Sequence, residues 1–368
     1  MKIFSRLAVF AVIFLTLTSA GSVRQKPLNL ILFIGDGMGV SHVYAAMTVS
    51  GNTMTFPAFP VTGFSRTHSS SSYSTDSAAG GTALATGEKT NNRMISVRPD
   101  STLLVTLLEH ARAAGKSTGI VCTSSLTDAT PATFTAHVPL RYDYRSIAEW
   151  YACGAAEVFI GGGRKFFMPE VDSTGSYDSS EDVISRLERA GYDITYDLNS
   201  FRASEASRIA GFMSDGDMPR IFEGRDPQYL ASATAKAIDI LSRNRKGFVL
   251  MVEGSEIDDA GHSNSTSMVT EEILDLDRAV AVAHEFAAGD GKTLIVVTAD
   301  HETGGMSITG GNNEKREVTA AFSFTGHSGV MVPVFAYGPG AIEFTGVQEN
   351  TDIFRDMFRL LFPDKKRR

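Results

Sequence analysis

Short apolar runs bounded by turn residues alternate along this chain with longer amphipathic segments, the pattern of βαβ units laid into a parallel sheet. The clearest strands are predicted at 29–34, 117–123, 157–160, 247–252, 293–298 and 332–337. They are apolar almost throughout, as expected of strands covered on both faces. Helical periodicity predicts helices over 102–114, 231–242, 268–287 and 351–362, and Gly115 and Gly289 stand as stop signals behind two of them. The stretch from about 164 to 224 is polar, Ser- and Asp-rich and less periodic, and reads as an excursion on the sheet edge. No repeat of fixed period interrupts the pattern. The expected fold is α/β: a three-layer sandwich, with a large, mainly parallel central sheet flanked by helices.

Composition narrows this picture. The 368 residues are 43% hydrophobic and 21% charged, enough apolar material for one large domain spanning 21–368. A formal charge of −8 leaves no overall basic face, so nucleic acid is not expected as a standing partner. Residues 1–20 read as a signal peptide: Lys2 and Arg6, an apolar run over 7–18, and a small-residue cleavage site at Thr18-Ser19-Ala20. That run falls short of the roughly 20 residues that span hydrocarbon. An exported chain, periplasmic or secreted and without a membrane span once mature, is the expectation. Cys122 and Cys153 allow one disulfide but no disulfide scaffold, and Cys122 lies in an apolar run that suits a buried thiol. The terminal Lys365-Lys366-Arg367-Arg368 reads as a solvated tail.

The polar residues matter for where they fall. Asp36 follows the apolar run 30–34, Glu253 follows 248–252, and Asp300 with His301 follows 294–299. In an open parallel sheet the carboxyl ends of all strands lie on one edge, so these acids should converge there and need a cation between them. Asp258 and His262 are four apart and can address one ion from a helical turn or a compact loop. His327 sits in Thr325-Gly326-His327-Ser328-Gly329, where small neighbours permit close approach. His42, His68, His110, His137 and His284 lack such a setting and are read as structural. Asp76 before Ser77-Ala78-Ala79-Gly80-Gly81 looks like a helix start, whose free amides and positive dipole end accept an anion. Ser77 would then lie in the first turn; alone it is more readily a close-packing residue than a nucleophile, and the metal-ligand cluster is what favours the nucleophile.

Taken together these residues closely resemble the alkaline phosphatases, from about residue 27 to 345. The marks are Asp36-Gly37-Met38-Gly39, Asp76-Ser77-Ala78, Asp128-Ala129-Thr130-Pro131-Ala132, Val252-Glu253-Gly254 with Asp258 and His262, Thr298-Ala299-Asp300-His301-Glu302-Thr303-Gly304-Gly305, and Gly326-His327-Ser328. The resemblance implies two Zn2+ and one Mg2+. Asp258, His262 and His327 would hold the first zinc, and Asp36, Asp300 and His301 the second beside Ser77. Asp36, Thr130 and Glu253 would hold the magnesium. Arg141 would clamp the substrate phosphate, with Ser77 as nucleophile and substrate contact and Asp76 in support. The implied reaction is hydrolysis of small-molecule phosphate monoesters through a phosphoserine.

A dianionic ester displaced in line needs positive charge at both the attacking and leaving oxygens, which two metals supply, and a guanidinium matches two phosphate oxygens. Asp128 stands two before Thr130 and suits a role organising magnesium waters, or simply a turn. Asp259, next to a zinc ligand, stands where relatives often carry Lys, His or Trp, and an inward-pointing acid would repel a dianion. A homodimer is also implied, although a short crown-like insertion at about 305–325 leaves little material for a subunit interface. The competing readings are a phosphodiesterase or sulfatase of the same superfamily, and a non-catalytic phosphate- or metal-binding protein.

Overall fold

The computed structural model describes residues 26–154, 156–169 and 182–363; the signal segment 1–20 and the basic tail lie outside the described residues. Its strands are β1 Asn29–Gly35, β2 Val61–Arg66, β3 Ser117–Ser125, β4 Val158–Gly162, β5 Asp193–Thr195, β6 Ile209–Phe212, β7 Phe248–Gly254, β8 Thr293–Thr298, β9 Glu302–Thr303, β10 Met306–Asn312, β11 Glu317–Phe322, β12 His327–Ser328, β13 Val332–Tyr337 and β14 Gly346–Glu349. The helices are α1 Val40–Ser50, α2 Ser77–Thr86, α3 Leu107–Ala113, α4 Ala129–Ala132, α5 Tyr144–Ala152, α6 Arg164–Phe167, α7 Val183–Arg189, α8 Leu198–Ala203, α9 Tyr229–Leu241, α10 Glu256–His262, α11 Thr266–Asp290 and α12 Asn350–Leu361.

The central sheet has ten strands in the order β14-β2-β13-β8-β1-β7-β3-β4-β6-β5. All seven residues of β1 are buried. Leu30, Leu32 and Ile34 point into a core layer with α2, α3, α5, α7 and α12. Ile31 and Phe33 point the other way, toward α1, α9, α10 and α11. Each such side chain contributes about 1.5–3 kcal/mol when removed from water, which is why a period-2 apolar run ends up sandwiched between helical layers. The three-layer α/β fold is therefore as expected.

Several expectations need correction. β13 runs antiparallel to both β8 and β2. The chain stays at the carboxyl edge of β8 through residues 299–331, so the next strand starts at that edge and must run back. β2 went unseen because its burial alternates, with Thr62, Phe64 and Arg66 exposed and Gly63 between them. The helix predicted over 102–114 begins only at Leu107, because Thr106 caps it and Glu109 bonds back to the Thr106 amide. α11 runs through Gly289 and stops at Gly291, whose φ of 63° is left-handed. In the polar stretch 164–224, β5 and β6 extend the sheet. Cys122 is buried on β3 and Cys153 is exposed, both as free thiols.

Candidate active site

β8, β1 and β7 lie side by side and parallel, with Ile34 in register with both Thr298 and Glu253. That register delivers Asp36, Asp300 and Glu253 to one edge. Gly37 turns the chain after β1 with φ 68°, and a Cβ there would come within 2.8 Å of Asp258 Oδ1 and 2.7 Å of Thr303 Oγ1. Only glycine allows the backbone this close.

Opposite, α2 begins at Ser77. The Asp76 carboxylate caps it by accepting from the Ala79 amide at 3.0 Å, and Gly80 lets the helix lie on Asp300, whose carbonyl oxygen would be 2.9 Å from an added Cβ. Ser77 Oγ is buried, 3.2 Å from His301 Nε2.

α10 places Asp258 and His262 on one face, with His262 Nε2 3.2 Å from Asp258 Oδ2. His327 arrives on β12, paired antiparallel with β9 so that it stands opposite Thr303. Its Nε2 lies 3.2 Å from His262 Nε2 and 3.6 Å from Asp258 Oδ1, and its ring stacks on His301 at 3.6 Å. Asp258, His262 and His327 thus converge, as do Asp36, Asp258 and His301. Asp300 Oδ2 lies 3.3 Å from His301 Nε2. Asp258 stands between the two groups, which its place in the sequence did not reveal.

Thr130 donates to Asp36 Oδ2 at 3.2 Å and Ser124 donates to Glu253 Oε2 at 3.2 Å. Arg141 donates to Asp128 Oδ1 at 3.0 Å and to Asp76 Oδ2 at 3.4 Å, which aims its planar fork at the mouth of α2. Every residue expected at the site therefore reaches this edge.

The donor set fits metal ions. Asp36 Oδ1, Asp300 Oδ2 and Glu253 Oε1 are buried without a hydrogen-bond donor. His301 Nε2 lies 3.4 and 3.3 Å from the first two, and it also faces Ser77. One imidazole N–H cannot satisfy three oxygens. Two further imidazole nitrogens, of His262 and His327, face one another. The Asp and His atoms suit zinc, whereas Asp36, Thr130 and Glu253 offer only oxygen and suit magnesium.

The electrostatics agree. Burial, reinforced by Asp258, pushes Asp300 up to about 7, and burial with the charge of Asp128 pushes Glu253 up to about 8. Asp36 is raised by burial and by Asp300. His301 is held below its ordinary value by burial and then by His327. Asp258 is held low despite burial, by the His262 hydrogen bond and by His301 and His327, while that same bond raises His262 to about 9. Burial opposes the charge of Arg141, but Asp128, Asp76 and Asp36 outweigh it. Crowded acids of this kind ionise together once a cation lies among them.

Some contributors were missed. Thr303 donates to Asp258 Oδ1, and its hydroxyl lies 3.3 Å from His301 Nδ1. Buried Glu302 accepts from Ser328 and from the Met306 amide, and faces His42 Nε2 at 3.6 Å. Both sit in the 298–305 motif, but nothing local marks them as supports. His42, read as structural, accepts from the Gly39 amide at 2.9 Å and braces the turn after β1. The cavity over Ser77, about 280 Å3, is also walled by Tyr144, Lys165, Phe166, Asp217 and Asp259. Of these only Asp259 stood out in the sequence, and it does face the cavity.

A family profile described as alkaline phosphatase matches residues 27–322 and 311–362. Alkaline phosphatase 4 of Bacillus subtilis is 32% identical, covering 90% of this chain and 88% of the relative. The alkaline phosphatase of Escherichia coli K12 is 33% identical, covering 91% and 86%. The solved alkaline phosphatase of the Antarctic bacterium TAB5 superposes with a TM-score of 0.83 at 37% identity, covering 92% of this chain and 98% of that one. With its metal-binding edge and a buried serine that shares a cavity with Arg141, the chain belongs to the alkaline phosphatase family of phosphomonoester hydrolases.

Proposed function

We propose that this chain hydrolyses phosphate monoesters to an alcohol and inorganic phosphate through a phosphoserine at Ser77. The observation that carries this reading is Ser77 Oγ, buried in the first turn of α2, 3.2 Å from His301 Nε2 and lining one cavity with Arg141 and Asp36. Asp258, His262 and His327 would hold one zinc, Asp36, Asp300 and His301 a second, and Asp36, Thr130 and Glu253 a magnesium. When bound, these ions supply Lewis-acid charge at the attacking and leaving oxygens. A variant of the TAB5 relative has magnesium bound in a site called M3, which supports the magnesium assignment.

The residues divide the remaining work. Arg141, held between Asp128 and Asp76, presents two N–H groups to the phosphoryl oxygens and orients phosphorus over Ser77 Oγ. The first-turn amides of α2 add fixed positive dipoles where charge builds on the transferring group. Ser77 Oγ gives up its proton and bonds to phosphorus, the ester P–O bond breaks, and the departing alkoxide takes up one proton to leave as the alcohol, so the step is proton-neutral overall. A water then attacks the phosphoserine from the vacated side, releasing phosphate and restoring the hydroxyl. Export through cleavage after Ala20 and assembly as a homodimer belong to the same reading; N-terminal sequencing of secreted protein and sedimentation test them.

The test is phosphate release from a chromogenic monoester at alkaline pH, with and without chelator followed by zinc and magnesium. Activity removed by chelation, restored by the metals, and lowered at least about 1,000-fold in Ser77→Ala is the expected result. Turnover confined to diesters or sulfate esters would overturn the substrate class, and no turnover of any ester would leave a binding protein.

A further inference from the structure

The cavity over Ser77 has two unlike halves. Its inner half is the phosphoryl end, with Ser77, Arg141 and Asp36. Its outer half is built from segments far apart in the chain. Tyr144 and Phe166 stand with their rings 4.6 Å apart, and Lys165 lies with its ammonium 4.8 Å from the Phe166 ring centroid. Asp217 and Asp259 complete the lining.

The charges of this half do not cancel. Asp259 is exposed, and its carboxylate makes no hydrogen bond or ion pair among the described residues. Asp217 uses Oδ1 to accept from the Ser125 amide at 3.0 Å, which leaves Oδ2 available. Against these two carboxylates stands one ammonium, on Lys165. Glu256 also lines the cavity and adds no positive charge in either protonation state. Arg220, whose charge also acts on Asp259, lies 4.0 Å from Glu256 and is itself paired with Glu223 at 3.2 Å, so it offsets the acids of this half only in part. The outer half is therefore acidic and has two aromatic rings in its wall, a combination that attracts a cation and repels an anion.

We propose that this outer half is a leaving-group subsite for cationic alcohols, in which Asp259 and Asp217, beside the Tyr144 and Phe166 rings, receive the ammonium of an amino-alcohol phosphate whose phosphoryl group lies at Ser77 and Arg141. The proposal rests on the phosphomonoesterase reading and names its substrate class. It also gives a use to an acid that would otherwise only weaken binding of a dianion.

The test compares three small esters on the metal-loaded full chain at about pH 8, where an aliphatic ammonium stays charged: 2-aminoethyl phosphate, neutral propyl phosphate and anionic 2-carboxyethyl phosphate. Wild type is expected to favour the aminoethyl over the propyl ester by about fivefold or more in kcat/KM, and to disfavour the carboxyethyl ester by a similar factor. Both ratios should shrink as salt rises from about 0.01 to 0.5 M. In Asp259→Asn and Asp217→Asn each ratio should move toward one, while Asp259→Glu keeps the order. Turnover of propyl phosphate reads the basal reaction, so its loss would fail the phosphomonoesterase reading separately. Equal kcat/KM for the three esters in wild type, or an Asp259→Asn effect that is the same on all three, would overturn the subsite.

Discussion

Replacing Thr303 by valine removes one hydroxyl and keeps the shape of the side chain. Thr303 is fully buried between the two halves of the metal-binding edge. Its hydroxyl donates to Asp258 Oδ1 and lies 3.3 Å from His301 Nδ1, and its amide donates to the Gly37 carbonyl at 3.1 Å. The backbone anchor survives the substitution, whereas the hydroxyl that orients two proposed ligands does not. A hydrogen bond to a charged carboxylate is worth about 1.5–3 kcal/mol. At 1.36 kcal/mol per decade, kcat/KM should fall about 10- to 150-fold, in line with the 10- to 100-fold typical of groups that orient metal ligands. The assay is turnover of a chromogenic monoester at saturating zinc and magnesium, with zinc affinity measured by competition against a chromophoric chelator. Thr303→Ser restores the hydroxyl and should stay within about threefold of wild type. Valine activity within twofold of wild type, or a serine variant as impaired as valine, would refute the positioning role.

Arg141→Ala should lower kcat/KM about 30- to 150-fold and weaken inhibition by inorganic phosphate by a similar factor, because a charge-assisted fork worth about 2–3 kcal/mol is lost; an unchanged inhibition constant would remove Arg141 from the phosphate site. Gly80→Ala sets a Cβ 2.9 Å from the Asp300 carbonyl oxygen and 3.1 Å from its Cβ, so overpacking of about 1–3 kcal/mol should lower Tm by about 2–6 °C in calorimetry and displace Ser77 enough to reduce turnover. His137 is raised above its ordinary 6.5: burial opposes the charge, but the bonds to Glu109 and the Ser96 carbonyl prevail. Its stabilising contribution is complete below pH 6.5 and disappears as pH climbs through the raised value, so His137→Gln should flatten the Tm profile in that window, and an unaltered profile would contradict the pairing.

Much of the site could be read from the chain because burial demands are local. β1, β7 and β8 are apolar through their centres, so Glu253 near the end of β7, and Asp36 and Asp300 just past β1 and β8, stand out beside strands that must be covered on both faces. Asp76 before a run of small residues marks the start of α2 for an equally local reason: a short side-chain acceptor meets the free amide of Ala79.

Only the tertiary structure decided what meets across the edge. The pairing of β9 with β12 sets His327 opposite Thr303, the antiparallel return of β13 follows from where the chain enters the sheet, and Asp258 is shared by two ligand groups. Arg141 finds Asp128 thirteen residues away and Asp76 sixty-five away. The outer wall of the cavity joins Tyr144, Lys165, Phe166, Asp217 and Asp259 from four separate stretches. Local sequence encodes which residues are buried and which cap, since those energies are set within a turn or a strand. Partners across the edge depend on strand order and register, which are fixed by the packing of the whole sheet between its two helical layers.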